Sequence, residues 1–249
     1  MANFLLKRSY HINNLKILKF NDLWGSHGVF TTIRLIGKPG KLVLFNNHFK
    51  KLIKSLKKYK IYSKHVEQNI KTLIRSNINN DFKYNHLFRI ALTKKLISIS
   101  IRKRSNLSNN FELKVLNYKR TDPKYKNLQY KYILKKLNSY DATKVDILLV
   151  YKKKVLETCT SNLLLIKNNK YYSPKNNCYI GNTINFLEKK IKVNFKDINL
   201  KDIHKFDEIL LIGSGKGVTP VKFIKKYKWK YKSLNGFNKI KKYLKIVNL

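Results

Sequence analysis

The sequence predicts an α+β fold divided into two domains. Three observations carry that expectation: strand-like runs recur in both halves, amphipathic helical stretches separate them, and the pattern breaks at Asp122-Pro123. At 249 residues with 43% hydrophobic content, the chain is long enough to bury a substantial core. The expected division is 1–121 as a small N-terminal domain and 122–249 as a larger C-terminal one.

The elements follow in chain order. "GVFTTIRLI" (28–36) is rich in β-branched residues and alternates, which predicts a strand; "GKPGK" turns the chain into a second short strand, "LVLF". In "NNHFKKLIKSLKKYK", Asn46 or Asn47 is the expected N-cap, and Phe49, Leu52, Ile53 and Leu56 recur at helical spacing with lysines on the other face. Residues 64–78 repeat that pattern more weakly. "HLFRIALT", "LISISI" and "FELKVLNY" read as successive strands of one sheet. Beyond the break come a helix (127–139), strands at "VDILLVY", "VLETC" and "NLLLIK", a turn at Pro174, and a helix opening near Asn182. The strand "DEILLIG", a glycine-rich turn "GSGKG" and a last amphipathic helix, "NGFNKIKKYLKIV", complete the chain.

Composition excludes several classes. The formal charge is +42, a field that attracts nucleic acid and anionic membranes. The basic residues, however, run from Lys7 to Lys245, and only seven of the 55 are arginine. Phosphate readout favours arginine forks and a local patch, so nucleic acid is not the expected partner. The mixture of Lys, Asn, Ile and Tyr reads as a coding bias toward A- and T-rich codons at solvated positions. There is no apolar run of roughly eighteen residues for a membrane span, and "MANFLLKRSYHINN" is too short in its apolar patch for a secretory segment, so a cytoplasmic protein is expected. Cys159 and Cys178 supply neither a disulfide framework nor a zinc site, and the six histidines lack metal-ligand spacing, so no metal is expected.

Three segments are candidates for chemistry. "GSGKG" (213–217) fails as a nucleotide P-loop, because Lys216 is followed by Gly217 and Leu210 stands where the first glycine belongs. Backbone N–H groups there, with Ser214, suit a phosphate cradle or belong to an ordinary turn. Glu157, in "VLETCTSNLLLI", is one of only 13 acids and sits in strand-like sequence. It is either a surface carboxylate among lysines or a buried one able to hold a proton on a heterocyclic nitrogen. Finally, "KYKNLQYKYILKKL" (124–137) contains five lysines, and a reactive one has to be picked out by its company.

The order of these pieces resembles the pyridoxal-phosphate (PLP) enzymes of fold type IV, which include branched-chain and D-amino-acid aminotransferases and aminodeoxychorismate lyase. "GVFTTIR" (28–34) is similar to the family's opening strand and "HFKKL" (48–52) to its H-x-x-R-L helix; "KNLQ" (126–129) resembles the K-x-L-N Schiff-base motif. "VLETCTSN" (155–162), "GNTI" (181–184) and "DEILLIGSGKGVTPV" (207–221) resemble the family's V-x-E…S-N, G-I-T-R and closing elements, in register. The resemblance implies a small N-terminal α/β sandwich, a larger C-terminal pseudo-barrel domain, a homodimer and a site at the domain boundary.

It also implies roles. Lys126 is the expected PLP-bearing lysine, with Lys124 and Lys131 as spectators; amine nucleophilicity requires a neutral or imine-bound nitrogen, which a desolvated cleft provides and a solvated helix face does not. Glu157 is the expected partner of the pyridine nitrogen, and Tyr130 that of the ring hydroxyl. Lys51, Asn182, Thr183, Gly213 and Ser214 are the expected phosphate ligands. Lys51 and Ile184 stand where the family has arginine, and Gln129 where it has Asn, so a bidentate fork on phosphate becomes a point charge. "FTT" resembles the lyases, whereas aminotransferases commonly carry Glu at the position of Thr31; Thr32 is then the assisting hydroxyl beside Lys126. The expected function is a 4-amino-4-deoxychorismate lyase giving 4-aminobenzoate and pyruvate, with a class IV aminotransferase as the alternative. Arg89 is a carboxylate ligand in either reading, or a surface arginine.

Overall fold

The computed structural model describes residues 3–245. The chain divides into two compact units. One is Met1–Ser105 with Tyr125–Lys131, the other Asn106–Lys124 with Tyr132–Leu249. The break expected at 121/122 therefore lies differently: 106–124 belongs with the second unit, and 125–131 returns to the first.

The first unit contains β1 (Phe4–His11), β2 (Ile17–Leu18), β3 (Val29–Gly37), β4 (Lys41–Leu42), α1 (Phe45–Lys58), α2 (Lys64–Ser76), β5 (Tyr84–Leu92) and β6 (Leu96–Lys103). Its sheet runs β2-β1-β6-β5-β3-β4. Side chains alternate across a strand, so Val29 and Leu35 of β3, Phe88, Ile90 and Leu92 of β5 and Ile97, Ile99 and Ile101 of β6 share one face. They bury it under Leu52 and Leu56 of α1 and Val66, Ile70, Leu73 and Ile74 of α2. Ser63 caps α2, accepting the Val66 N–H at 3.1 Å.

Three expectations for this half need correction. "LVLF" is not a full strand: only Lys41–Leu42 pairs with β3, and α1 begins at Phe45, so neither Asn46 nor Asn47 is its cap. Leu44, in the left-handed conformation, holds that position. β1 carried no clear strand signal because only Ser9 and Tyr10 in it are buried, yet it pairs along its length with β6. "FELKVLNY" forms a strand, but in the other sheet.

The second unit begins with that strand, β7 (Phe111–Asn117). It continues with α3 (Lys131–Leu137, whose first residue closes the first unit), β8 (Val145–Tyr151), β9 (Lys154–Thr158), β10 (Asn162–Lys167), β11 (Lys170–Pro174), α4 (Asn182–Glu188), β12 (Val193–Lys196), β13 (Ile198–Asn199), β14 (Glu208–Gly213), β15 (Gly217–Ile224), β16 (Trp229–Lys230) and α5 (Asn235–Lys245). The sheet order is β12-β11-β10-β14-β15-β7-β8-β9-β13, with β16 on β15. β7 lies parallel to both β8 and β15, a long-range pairing that no local pattern announces.

Pro174 ends β11 instead of forming a turn, and β15 was not anticipated. Of the expected helix 127–139, only Lys131–Leu137 is helical. The C-terminal helix matches its expectation as far as Lys245; 246 and 247 lie outside the described residues. Glu208 accepts the Gly236 and Phe237 N–H groups at 2.8 Å each, fastening the start of α5 to β14.

Candidate active site

In the first unit, alternation along β3 separates two adjacent threonines. Thr31 is buried on the helix face, where its hydroxyl shares a 2.8 Å hydrogen bond with His48 Nδ1 of α1. Thr32 lies on the opposite face with Phe30 and Arg34, directly across from Arg89 of β5. Arg89 stacks over Trp24 at 3.9 Å and lies 5.4 Å from the Phe30 ring centroid; its Nη2 donates to Asp22 O at 2.8 Å. Its Nε, like Nε and Nη1 of Arg34, is buried with no hydrogen-bond partner. Burial draws both guanidinium pKa values down to about 10, with Arg104 adding to the effect on Arg34.

Lys126 reaches this region through its backbone. Phe30 N donates to Lys126 O at 2.9 Å, Leu128 N to Gly28 O at 3.0 Å, and Val29 bridges to Asn127. The approach requires glycine at 28: a Cβ there would lie 2.2 Å from Leu92 O and 2.8 Å from Leu128 Cδ1. These bonds hold 126–128 extended beside β3, which is why the helix starts later than its sequence suggests. Lys126 Nζ lies 5.2 Å from the Phe30 ring centroid, and the Tyr130 ring packs edge-on against Phe30 at 5.4 Å.

His48 gives the electrostatic character of this end of the unit. Burial first, then the charges of Lys126 and Lys51, pull its pKa down to about 3, so the imidazole is neutral. Lys51 is itself drawn down to about 8 by burial and by Lys54. In the first unit Lys126 and Lys51 both act on His48, and Lys126 and Tyr130 lie against Phe30; Thr32 and Arg89 pair on the sheet face opposite the one that carries Thr31.

In the second unit, Glu157 is buried on β9. Its Oε1 accepts from Arg120 Nε at 2.8 Å and lies 2.7 Å from Nη2, and its Oε2 accepts the Tyr179 N–H at 3.4 Å. Arg120 is buried too, and its Nη2 also donates to Pro123 O at 3.1 Å. Burial pushes the Tyr179 phenol well above its usual range. Asn162 orders the approach to α4: its side chain donates to Tyr179 O and accepts the Gly181 N–H at 2.9 Å. Asn182 and Thr183 open α4, both buried, and Asn182 Oδ1 and Thr183 Oγ1 have no hydrogen-bond partner. Gly213 pairs with Gly217 across the turn that carries Ser214, and it neighbours Ser161 and the carbonyl of Thr160.

Sequence reasoning missed Arg120 and His48 as site residues. The available signal was rarity. In a chain that uses lysine almost everywhere, Arg34 and Arg120 are two of only seven arginines, and each supplies a planar guanidinium to a buried position, a task an ammonium does poorly.

The family model for class IV amino-transferases matches residues 28–224. By structure the chain is similar to the 4-amino-4-deoxychorismate lyase of Pseudomonas aeruginosa, with a TM-score of 0.76 and 15% identity over 97% of this chain and 98% of that one. It is also similar to a branched-chain aminotransferase of Thermoproteus uzoniensis, with a TM-score of 0.75 and 16% identity over 99% and 95%. A hypothetical aminotransferase from Mycobacterium tuberculosis in PLP-bound form gives 0.72 and 13% over 97% and 98%. Among proteins of curated function, none matches the sequence.

Proposed function

The chain belongs to the class IV aminotransferase family of PLP-dependent enzymes, and on that premise we propose that it is a 4-amino-4-deoxychorismate lyase, releasing pyruvate as 4-aminobenzoate becomes aromatic. The residues present fit the cofactor. The orphaned Thr183 hydroxyl at the start of α4 is a buried donor that suits a phosphate, and a buried carboxylate, Glu157, suits a protonated pyridine. Lys51, Gly213 and Ser214 complete the proposed phosphate ligands, and Tyr130 is the proposed ligand of the ring hydroxyl.

When bound, PLP supplies an electron sink for the pair left as the substrate's ring proton departs. Lys126 is the residue we assign to carry the cofactor and move that proton. Glu157 holds the proton on the pyridine nitrogen, with Arg120 fixing its carboxylate in one orientation. Arg89 is the proposed ligand for a substrate carboxylate, since burial strengthens its pull on an anion. Thr32 hydrogen-bonds the departing enolpyruvyl oxygen.

The observation that carries the lyase reading is the opposed orientation of the two threonines. Thr31 is engaged with His48, whereas Thr32 lies on the face that carries Phe30 and Arg89. An aminotransferase reading uses the same lysine and carboxylate, and the similarity to a branched-chain aminotransferase supports it to a comparable degree. The two are separated by supplying 4-amino-4-deoxychorismate without a keto acid. The lyase makes 4-aminobenzoate and pyruvate in equal amounts under those conditions. An enzyme that needs a keto acid and converts bound cofactor to its aminated form with amino acids is an aminotransferase. We also infer a cytoplasmic homodimer from the resemblance; no helix among the described residues is long and apolar enough to cross a membrane.

A further inference from the structure

A buried ion pair in the second unit stands outside every role assigned so far. Asp146 of β8 is fully buried, and its Oδ2 accepts from Lys216 Nζ at 2.5 Å, from the Thr160 hydroxyl at 2.7 Å and from the Thr158 hydroxyl at 2.9 Å. Its other oxygen accepts the Ile147 N–H at 2.8 Å. Lys216 is buried as well, with Nζ 4.4 Å from the Phe111 ring centroid. A charge pair in such surroundings costs desolvation that a well-packed apolar pair would not, so a gain in geometry is the physical reason for it to be there.

The partners show which geometry. Lys216 belongs to the 213–217 turn; Thr158 directly follows Glu157 on β9; Thr160 lies in the turn between β9 and β10. The Thr158 hydroxyl also accepts the Ser161 N–H at 3.0 Å, and Ser161 precedes Asn162, which holds the loop leading to α4. One carboxylate oxygen therefore binds together the glycine-rich turn, the strand bearing Glu157 and the turn that leads to Asn162. The Thr219 hydroxyl donates to Lys216 O at 3.2 Å and ties the far side of the same turn.

We propose that the Asp146–Lys216 pair is a positioning device that sets the 213–217 turn, and with it the N–H groups and hydroxyl at Gly213 and Ser214, at the spacing from Glu157 that a phosphorylated pyridine requires. This rests on the functional reading above and deepens it. Neither residue touches the cofactor in this account. Without the anchor, a glycine-rich hairpin turn has to be ordered by the ligand itself, and that cost appears as lost affinity. The deficit falls on the phosphate end, because that is the part the turn holds.

The test is a titration of PLP, and in parallel of pyridoxal without its phosphate, into apoprotein carrying Asp146→Asn, Lys216→Met, Lys216→Arg or the pair Asp146→Asn/Lys216→Met. Melting temperatures come from the same preparations, and Ile203→Ala, a core change in the same unit at a residue with no role in the proposal, serves as a stability control. Asp146→Asn leaves a buried ammonium uncompensated and is the variant most prone to misfold; the double variant removes both charges and keeps the test open. The expected result is a tenfold or greater weakening of PLP in Lys216→Met and in the double variant, less than threefold for pyridoxal, and substantial recovery in Lys216→Arg. Equal losses for PLP and pyridoxal, or a PLP loss that follows melting temperature as in Ile203→Ala, overturn the proposal, as does unchanged affinity in the folded double variant. A wild-type protein that takes up no PLP overturns instead the functional reading on which it rests.

Discussion

Arg120 Nε donates to Glu157 Oε1 at 2.8 Å, and Nη2 lies 2.7 Å from the same oxygen, with both side chains buried. Removing one partner of such a pair strands the other charge. Arg120→Met is expected to lower stability by about 3–5 kcal/mol in urea unfolding, and Arg120→Lys by less. A loss below about 1 kcal/mol for the methionine variant would show that water reaches the carboxylate.

His48 makes stability depend on acid. Its pKa is about 3 in the folded chain, against 6.5 in the ordinary imidazole, so below pH 6.5 the unfolded chain binds a proton that the folded one does not. Stability therefore falls as pH drops from about 6.5 toward 3, by roughly 1.4 kcal/mol per unit from this residue. Substituting His48→Gln removes that contribution, and the slope of unfolding free energy against pH over this range is expected to shrink accordingly.

Lys51 predicts the opposite edge of the pH range. With its pKa near 8 in the apoprotein, the ammonium is charged at pH 7 and largely neutral at pH 9. Cofactor affinity is expected to weaken across that interval in the wild type. Lys51→Arg, which stays charged and offers a bidentate fork, should bind PLP more tightly and lose this pH dependence. Parallel titrations at pH 7 and 9 measure both effects.

Much of this was legible in the chain, for reasons that vary by element. β3 follows directly from alternation and β-branched content, β10 from its apolar run, and α2 from a helical pattern weaker than that of α1. The partner of "FELKVLNY" was not legible, because pairing with β8 and β15 is decided by contacts far away in sequence. The helix expected at 127–139 failed at its start for a related reason: backbone bonds to Gly25, Gly28 and Phe30 overrode local helical preference in 126–130. Among the candidate site residues, Lys126 and Glu157 were proposed from motif order. Arg120 was not, since its position beside Glu157 depends on how the second unit folds.

The two threonines give separable predictions. Thr31→Ala removes the hydroxyl that shares a hydrogen bond with buried His48 and should cost about 1 kcal/mol of stability. Thr32→Ala is expected to leave stability nearly unchanged while slowing 4-aminobenzoate formation by about 10²-fold, in keeping with a lost hydrogen bond to the departing oxygen. Calorimetry and a steady-state assay on both variants check the contrast; equal kinetic effects would remove the basis for assigning Thr32.

The central claim is that Lys126 carries the cofactor. Its most direct test is borohydride reduction of the PLP-loaded protein followed by peptide mapping. The account predicts one phosphopyridoxyl group on the peptide containing Lys126, and none after Lys126→Ala. Labelling of Lys216 or of scattered surface lysines, with Lys126 unmodified, would contradict it.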